Sequence, residues 1–365
     1  MKKITVLVDL YYLKAAVAGI GSYIREFEAS CNDHGSNDFK YVFTHDINKL
    51  VGNSIFLNSN NKIIRWIFQI RYLIYKQIQL PLKILFSNAD YVICPDYIAP
   101  YFTFKAKRIT VLHDSLFWDH KKNYSFLWNK YFISLINLGI NKGTQIITTS
   151  NYSKKNLIKI LGSDKSISSV YQSFNFLKTS SSNYKTPENY VLHIGSFERR
   201  KDLITLVKAF KLVDDPNLKL VLAGAQIING NSEVFDEIKT FIIQNKLEDK
   251  VVLAGYVSKE EASLLYKNAS LYVFPSLNEG FGIPILEALS FSLPVICSDI
   301  DIFKEVGGDC VEYFKVGDSI SLSKKIISVL DSDKLRQNDN TKHINKFSRK
   351  NFINGFERII LDNND

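Results

Sequence analysis

The segment PSLNEGFGIPILEAL (275–289) places two glutamates, Glu279 and Glu287, around a pair of glycines and a proline. Gly280 and Gly282 permit positive φ or a close approach of ligand to backbone. Pro284 suits the first helical position, and a helix starting there leaves free N–H groups aimed back at the loop, which favours an anion. Glu279 then falls in the loop and Glu287 in the first helical turn. Both carboxylates are suited to accept hydrogen bonds from sugar or ribose hydroxyls beside a phosphate cradle. The plain alternative is structural punctuation, a Gly-rich loop with a capping Glu.

A second segment, GSFERRKDL (195–203), gathers Arg199, Arg200 and Lys201 at a predicted turn before a helix. Arg as a fork and Lys as a point charge can hold a diphosphate there, although most such runs are solvated surface. In the first half, His113 and Asp114 close an apolar run in VLHDSLFWD (111–119), and GIGSYIREF (19–27) opens with Gly19 and Gly21. Each of these is weak alone. SDID (298–301) offers an Asp-x-Asp to a metal.

These residues need a scaffold, and the chain predicts one. Short β-branched runs at 4–9, 91–94, 108–113 and 145–150, then at 190–195, 218–224, 250–255, 271–275 and 293–299, alternate with segments of helical period. That alternation is the mark of parallel sheets with crossover helices, and both the Glu and the Arg-Lys segments follow strands. LKTSSSNYKTPEN (177–189) reads as a linker between an N-terminal domain (1–176) and a C-terminal domain (190–347). Phe352, Ile353, Phe356, Ile359 and Ile360 share one face of a final helix over 348–365, expected to dock on the domains.

Composition narrows the class. With 365 residues, 46% hydrophobic and 23% charged, the chain fits two soluble domains. The run after Lys2 and Lys3 ends at Asp9, too soon for a signal peptide, and no stretch reaches the ~18 apolar residues of a membrane span. A cytoplasmic protein is expected. Cys31, Cys94, Cys297 and Cys310 are scattered and read as buried hydrophobes, not as a disulfide or zinc set. The net charge of +9 implies an anionic partner among nucleotides, lipid headgroups and nucleic acids.

Some of that charge sits between residues 47 and 89, which contain no Asp or Glu. In KIIRWIFQIRYLIYKQIQL (62–80) the spacing puts Lys62, Arg65, Gln69 and Lys76 on one helical face, with Pro81 ending the helix. A cationic helix with so wide an apolar face suits an anionic membrane surface; the alternative is a core helix with a solvated cationic edge.

From GSFERRKDLITLVKAF through LVLAGA, VVLAGYVSKEEASLLYKNASLYVFPSLNEGFGIPILEAL and PVICSDI to FKEVGGD, residues of about 190–315 resemble the group 1 (family 4) retaining glycosyltransferases in order, spacing and type. The resemblance implies an α/β GT-B fold: two doubly wound Rossmann-like domains facing across a cleft, the N-terminal one binding acceptor and the C-terminal one the nucleotide-sugar. It implies that Glu279 meets donor-sugar hydroxyls and Glu287 the nucleotide ribose. Gly280, Phe281 and Gly282 lie against sugar and phosphates, Arg200 and Lys201 hold the diphosphate, and His113 joins the catalytic set. Gly21 faces the donor phosphate. SDID matches a loop of the family that binds no metal, so neither cofactor nor metal is expected. Ser196 departs from the family, where many members carry Arg, and SFSLPVI lacks the usual Gly before its proline.

The expected activity is transfer of a hexose from a nucleotide-sugar, GDP-mannose first, to a saccharide or lipid-linked acceptor in polysaccharide or lipopolysaccharide synthesis. The enzyme would be cytoplasmic or peripheral on the inner membrane face, with no nucleic-acid partner. The rival readings are a nucleotide-sugar epimerase on the same fold and a catalytically silent sugar-nucleotide-binding membrane scaffold.

Overall fold

A computed structural model of the chain describes residues 3–15, 19–50, 62–119, 125–141, 143–175, 184–225, 233–332 and 339–363. The chain divides into two compact units, Met1–Phe174 with Lys346–Asp365, and Asn175–Asn345. Most of the expected linker, 177–183, lies outside the described residues.

The first unit is built on β1 (Ile4–Val8), β2 (Phe39–Phe43), β3 (Tyr91–Cys94), β4 (Lys107–Val111), β5 (Gln145–Thr148) and β6 (Ser166–Ser169), ordered β2-β1-β3-β4-β5-β6. The second carries β7 (Tyr190–Ile194), β8 (Lys219–Ala223), β9 (Val251–Gly255), β10 (Leu271–Phe274), β11 (Val295–Ser298) and β12 (Glu312–Phe314), ordered β12-β11-β10-β7-β8-β9. All pairings are parallel. Central strands such as YVIC and LYVF are buried throughout, as sheets covered on both faces require. The strand order reverses between β1 and β3 and between β10 and β7. In open α/β sheets, ligands bind at such switch points, outside the strands' carboxyl ends.

The last helix, Arg349–Asp362, belongs to the first unit. Ser348 caps it by accepting from Asn351 N–H, and Phe352 and Phe356 meet Phe27 edge-on. Cys31, Cys94 and Cys297 are buried and Cys310 partly so, all as free thiols.

The basic segment departs from its expected form. Pro81 does not end the helix. Helix Lys62–Ile74 runs through a π turn, Tyr75–Gln79, into helix Leu80–Ser87, with Pro81 in its first turn. A π turn holds one residue more than an α turn, and that residue is worth about 100° of rotation. Leu80 and Ile84 therefore stay buried on the same side as Phe68 and Tyr72. The opposite side is a continuous apolar ridge of Trp66 (70% exposed), Ile67, Ile70, Ile74, Ile78, Leu82, Leu85 and Phe86 (78% exposed).

Lys76 is not on a solvated cationic face. It is fully buried, its Nζ 2.6 Å from both Asp9 and Asp96, while Tyr72 and Tyr75 donate to the same two carboxylates. The side chains of Lys62 and Arg65 lie outside the described residues. Among the described residues, no helix is long and apolar enough to cross a membrane.

Candidate active site

The two motifs of the second unit meet at its switch point, because β7 and β10 are neighbours and their carboxyl-end loops emerge side by side. After β7 the chain makes a 3₁₀ turn, Arg199–Lys201, before helix Leu203–Lys211. After β10 it forms the loop holding Glu279. Leu277 N–H donates to Arg200 O at 2.8 Å and ties the loops together.

Their side chains form one charge cluster. Glu279 lies 2.5 Å from Lys201 Nζ and 2.7 Å from Arg200 Nη1, and Ser276 Oγ donates to it at 3.0 Å. Arg200 Nε donates to Glu198 at 2.7 Å. Burial works to raise the Glu279 carboxyl, but Lys201 and Arg200 outweigh it and hold the group below its ordinary value. Burial draws the Lys201 ammonium down against the pull of Glu279. Burial also opposes the Arg200 charge, yet Glu279 and Glu198 prevail and raise its proton affinity. The expected diphosphate ligands thus already share a carboxylate: two cations face two carboxylates.

Gly282 caps helix Ile283–Ser290 with φ +115°, where a Cβ would stand 3.1 Å from the Phe303 ring, so glycine is required. Pro284 occupies the helix's second position, one place later than expected. Phe281 is buried, and Gly280 lies between it and Glu279 in the loop. Glu287 is the fifth residue of this helix and so lies beyond the first turn, a correction that follows from the helix starting at Ile283. Its carboxylate accepts from the buried Tyr266 hydroxyl at 3.0 Å, and burial pushes it up to about 7.

A carboxyl raised from 4.5 to about 7 on folding costs stability as pH climbs through that window. Glu287→Gln removes the cost. Wild type and variant should melt nearly alike at about pH 4, below the unfolded pKa, and the variant should be more stable at pH 8 by roughly 2–4 kcal/mol. A pH-independent difference between their melting curves would contradict this.

His193, at the end of the β7 run, is a site residue that the motifs did not reveal. Its Nδ1–H donates to Val273 O at 2.9 Å, its Nε2 has no hydrogen-bond partner among the described residues, and burial brings it down to about 4. A titratable side chain inside an apolar strand was its only signal. Ser276 and Glu198 lie inside the two quoted segments but were not singled out there, and neither was Tyr266.

The other expected residues lie in the first unit. His113 follows β4 and is buried; its Nε2–H donates to Pro95 O at 2.8 Å, and burial brings it down to about 4, so the ring is neutral. Tyr23 packs edge-on against it, 4.6 Å between centroids. Gly21 is buried in the first turn of helix Gly19–His34. In SDID, Asp299 pairs with Lys304 at 2.5 Å and Asp301 opens a short helix. Among the described residues, no cluster of three His, Cys, Asp or Glu could hold a metal.

Residues 177–345 match the model of the family described as glycosyl transferases group 1. The chain is 32% identical over 183 residues to the O-antigen chain mannosyltransferase RfbU of Salmonella typhimurium, covering 50% of each. It is 32% identical over 151 residues to an O-antigen chain mannosyltransferase of Escherichia coli, covering 41% of this chain and 39% of that one. The chain thus spans about half the length of the curated relatives it matches, or less. Its fold aligns with the crystal structure of Anabaena HepE in complex with UDP and glucose at TM-score 0.71 and 16% identity, over 98% of this chain and 100% of that one. The fold is that of the GT-B glycosyltransferases.

Proposed function

We propose that this chain, whose residues 177–345 belong to the glycosyl transferases group 1, moves a hexose from a nucleotide-diphosphate sugar to a saccharide or lipid-linked saccharide in surface-polysaccharide assembly. The observation that carries this reading is Glu279 held between Arg200 and Lys201 at the switch point of the second sheet. When a diphosphate enters, the two cations turn from Glu279 to the phosphates, and the freed carboxylate accepts from sugar hydroxyls. Glu287 takes the ribose.

In the reaction the anomeric C–O bond to the diphosphate breaks and a bond to the acceptor oxygen forms. The acceptor's hydroxyl proton passes to the departing phosphate. Arg200, Lys201 and the N–H groups opening helix Ile283–Ser290 meet the leaving charge, so no metal is needed. Departure and attack on one face of the sugar retain the anomeric configuration. GDP-mannose is the donor we favour, because the relatives named above are mannosyltransferases. The place of action we infer is cytoplasmic, at an anionic membrane surface, with the helical segment 62–80 against lipid. Its apolar ridge, not Lys76, makes that contact.

The test is incubation with a panel of nucleotide sugars and a lipid-linked saccharide in phosphatidylglycerol vesicles. Products are weighed by mass spectrometry and their anomers assigned by NMR. A hexose added from GDP-mannose, with retention and in the presence of EDTA, is expected. Conversion of donor without acceptor would mean an epimerase, and donor binding without transfer a silent scaffold. Loss in EDTA with rescue by Mg²⁺ would return the leaving-group charge to SDID.

A further inference from the structure

The first sheet has its own switch point, between β1 and β3. Its floor is closed by Lys76, Asp9 and Asp96. Above the floor, Tyr11 stacks on Tyr75 with ring centroids 3.8 Å apart, and the His45 ring lies 5.5 Å from each. Cations border this aromatic platform. Lys14 Nζ stands 4.4 Å over the Tyr11 ring; Lys83 Nζ donates to Thr44 O at 2.7 Å and lies 6.0 Å from the Tyr75 ring. Arg71 is one helical turn before Tyr75, and its charge acts on both Tyr11 and Lys14.

No carboxylate pairs with Lys14, Arg71 or Lys83 among the described residues, and 16–18 and 51–61 contain no Asp or Glu. The nearby carboxylates, Asp9 and Asp96, are already held by Lys76. Burial, with repulsion from Lys83 and Arg71, draws the Lys14 ammonium below its ordinary value; burial, with Lys83 and Lys14, brings His45 down to about 4. Lys14 and Lys83, partly buried, and the exposed Arg71 gather positive charge without a carboxylate partner among the described residues, which for the partly buried ammoniums is costly unless a ligand supplies the counterion. The helix that carries Arg71 also carries the exposed Ile67, Ile70 and Ile74, so apolar surface adjoins the cations.

We infer that Lys14, Arg71 and Lys83, over the Tyr11–Tyr75 platform, form a binding site for the diphosphate of a prenyl-linked acceptor, whose hydrocarbon leaves along the apolar ridge. The inference rests on the proposed transfer to a lipid-linked saccharide, and its test reads binding, so the two can fail separately. Calorimetry of the full chain with farnesyl diphosphate should give an affinity that Lys14→Gln/Lys83→Gln lowers at least tenfold. The affinity for GDP and the melting temperature should be unchanged, and salt should weaken the wild type more than the variant. If the double variant melts early, Arg71→Gln, on an exposed side chain, should still lower affinity several-fold.

Equal binding of farnesyl diphosphate by wild type and variants overturns the inference. So does an equal loss of GDP binding, which would make this a nucleotide site. So does a loss confined to phosphatidylglycerol vesicles, which would make the anion a phospholipid headgroup.

Discussion

Glu279→Gln should lower turnover on the order of 10²–10³-fold while leaving nucleoside diphosphate affinity equal or tighter. Glu279 competes with phosphate for Arg200 and Lys201, to which it is paired at 2.7 and 2.5 Å. Gln fills the same space without charge, so both cations are freed for the diphosphate. What is lost is a charged acceptor for sugar hydroxyls while positive charge grows at the anomeric carbon, an interaction strongest in the transition state. Turnover under saturating donor, together with calorimetry of GDP binding, separates the two effects. Near wild-type turnover would remove Glu279 from catalysis. A parallel fall in rate and GDP affinity would mean that it only positions Arg200 and Lys201.

Lys76→Met should destabilise the protein by about 3–5 kcal/mol at neutral pH, because it leaves two buried carboxylates without their cation. Burial already pushes Asp96 up to about 6, against the pull of Lys76, whereas Lys76 and its hydrogen bonds outweigh burial at Asp9 and hold that group down. Without Lys76 both carboxyls take up protons, so the loss should be smaller at pH 5 than at pH 8. Adding Asp9→Asn and Asp96→Asn should recover much of the stability, since a buried ion cluster costs most when half removed. Denaturant unfolding of the three forms decides the matter. A single variant within about 1 kcal/mol of wild type would refute the buried triad.

The central strands were legible because a strand buried on both faces must be an apolar run. The strands not foreseen, FKYVF, SISS and EYF, are β2, β6 and β12, all at sheet edges. There solvent covers part of the strand and the apolar signal thins, as their mixed burial shows. Gly282 was legible for a similar local reason, because it takes a φ that other residues avoid.

The helical segment 62–87 misled because its phase was read as a constant 3.6 residues per turn. A π turn has no simple signature in residue type, and Pro81 marked not the end but the restart of the helix. Spacing could equally not foretell that Lys76 finds Asp9 and Asp96, which lie on loops from two different strands.

The sequence by itself determined the alternation of strand and helix, the residue types of the donor motif, and the place of its glycine turn. These depend on neighbours a few residues away, where periodicity and backbone preference act. The tertiary structure alone decided that Glu279 pairs with both Arg200 and Lys201, that Lys76 is buried while the ridge from Trp66 to Phe86 is exposed, and that Lys14, Arg71 and Lys83 converge. Each depends on strand order and helix phase, which bring distant side chains within ångströms. Charge and desolvation at that range set what the groups can do.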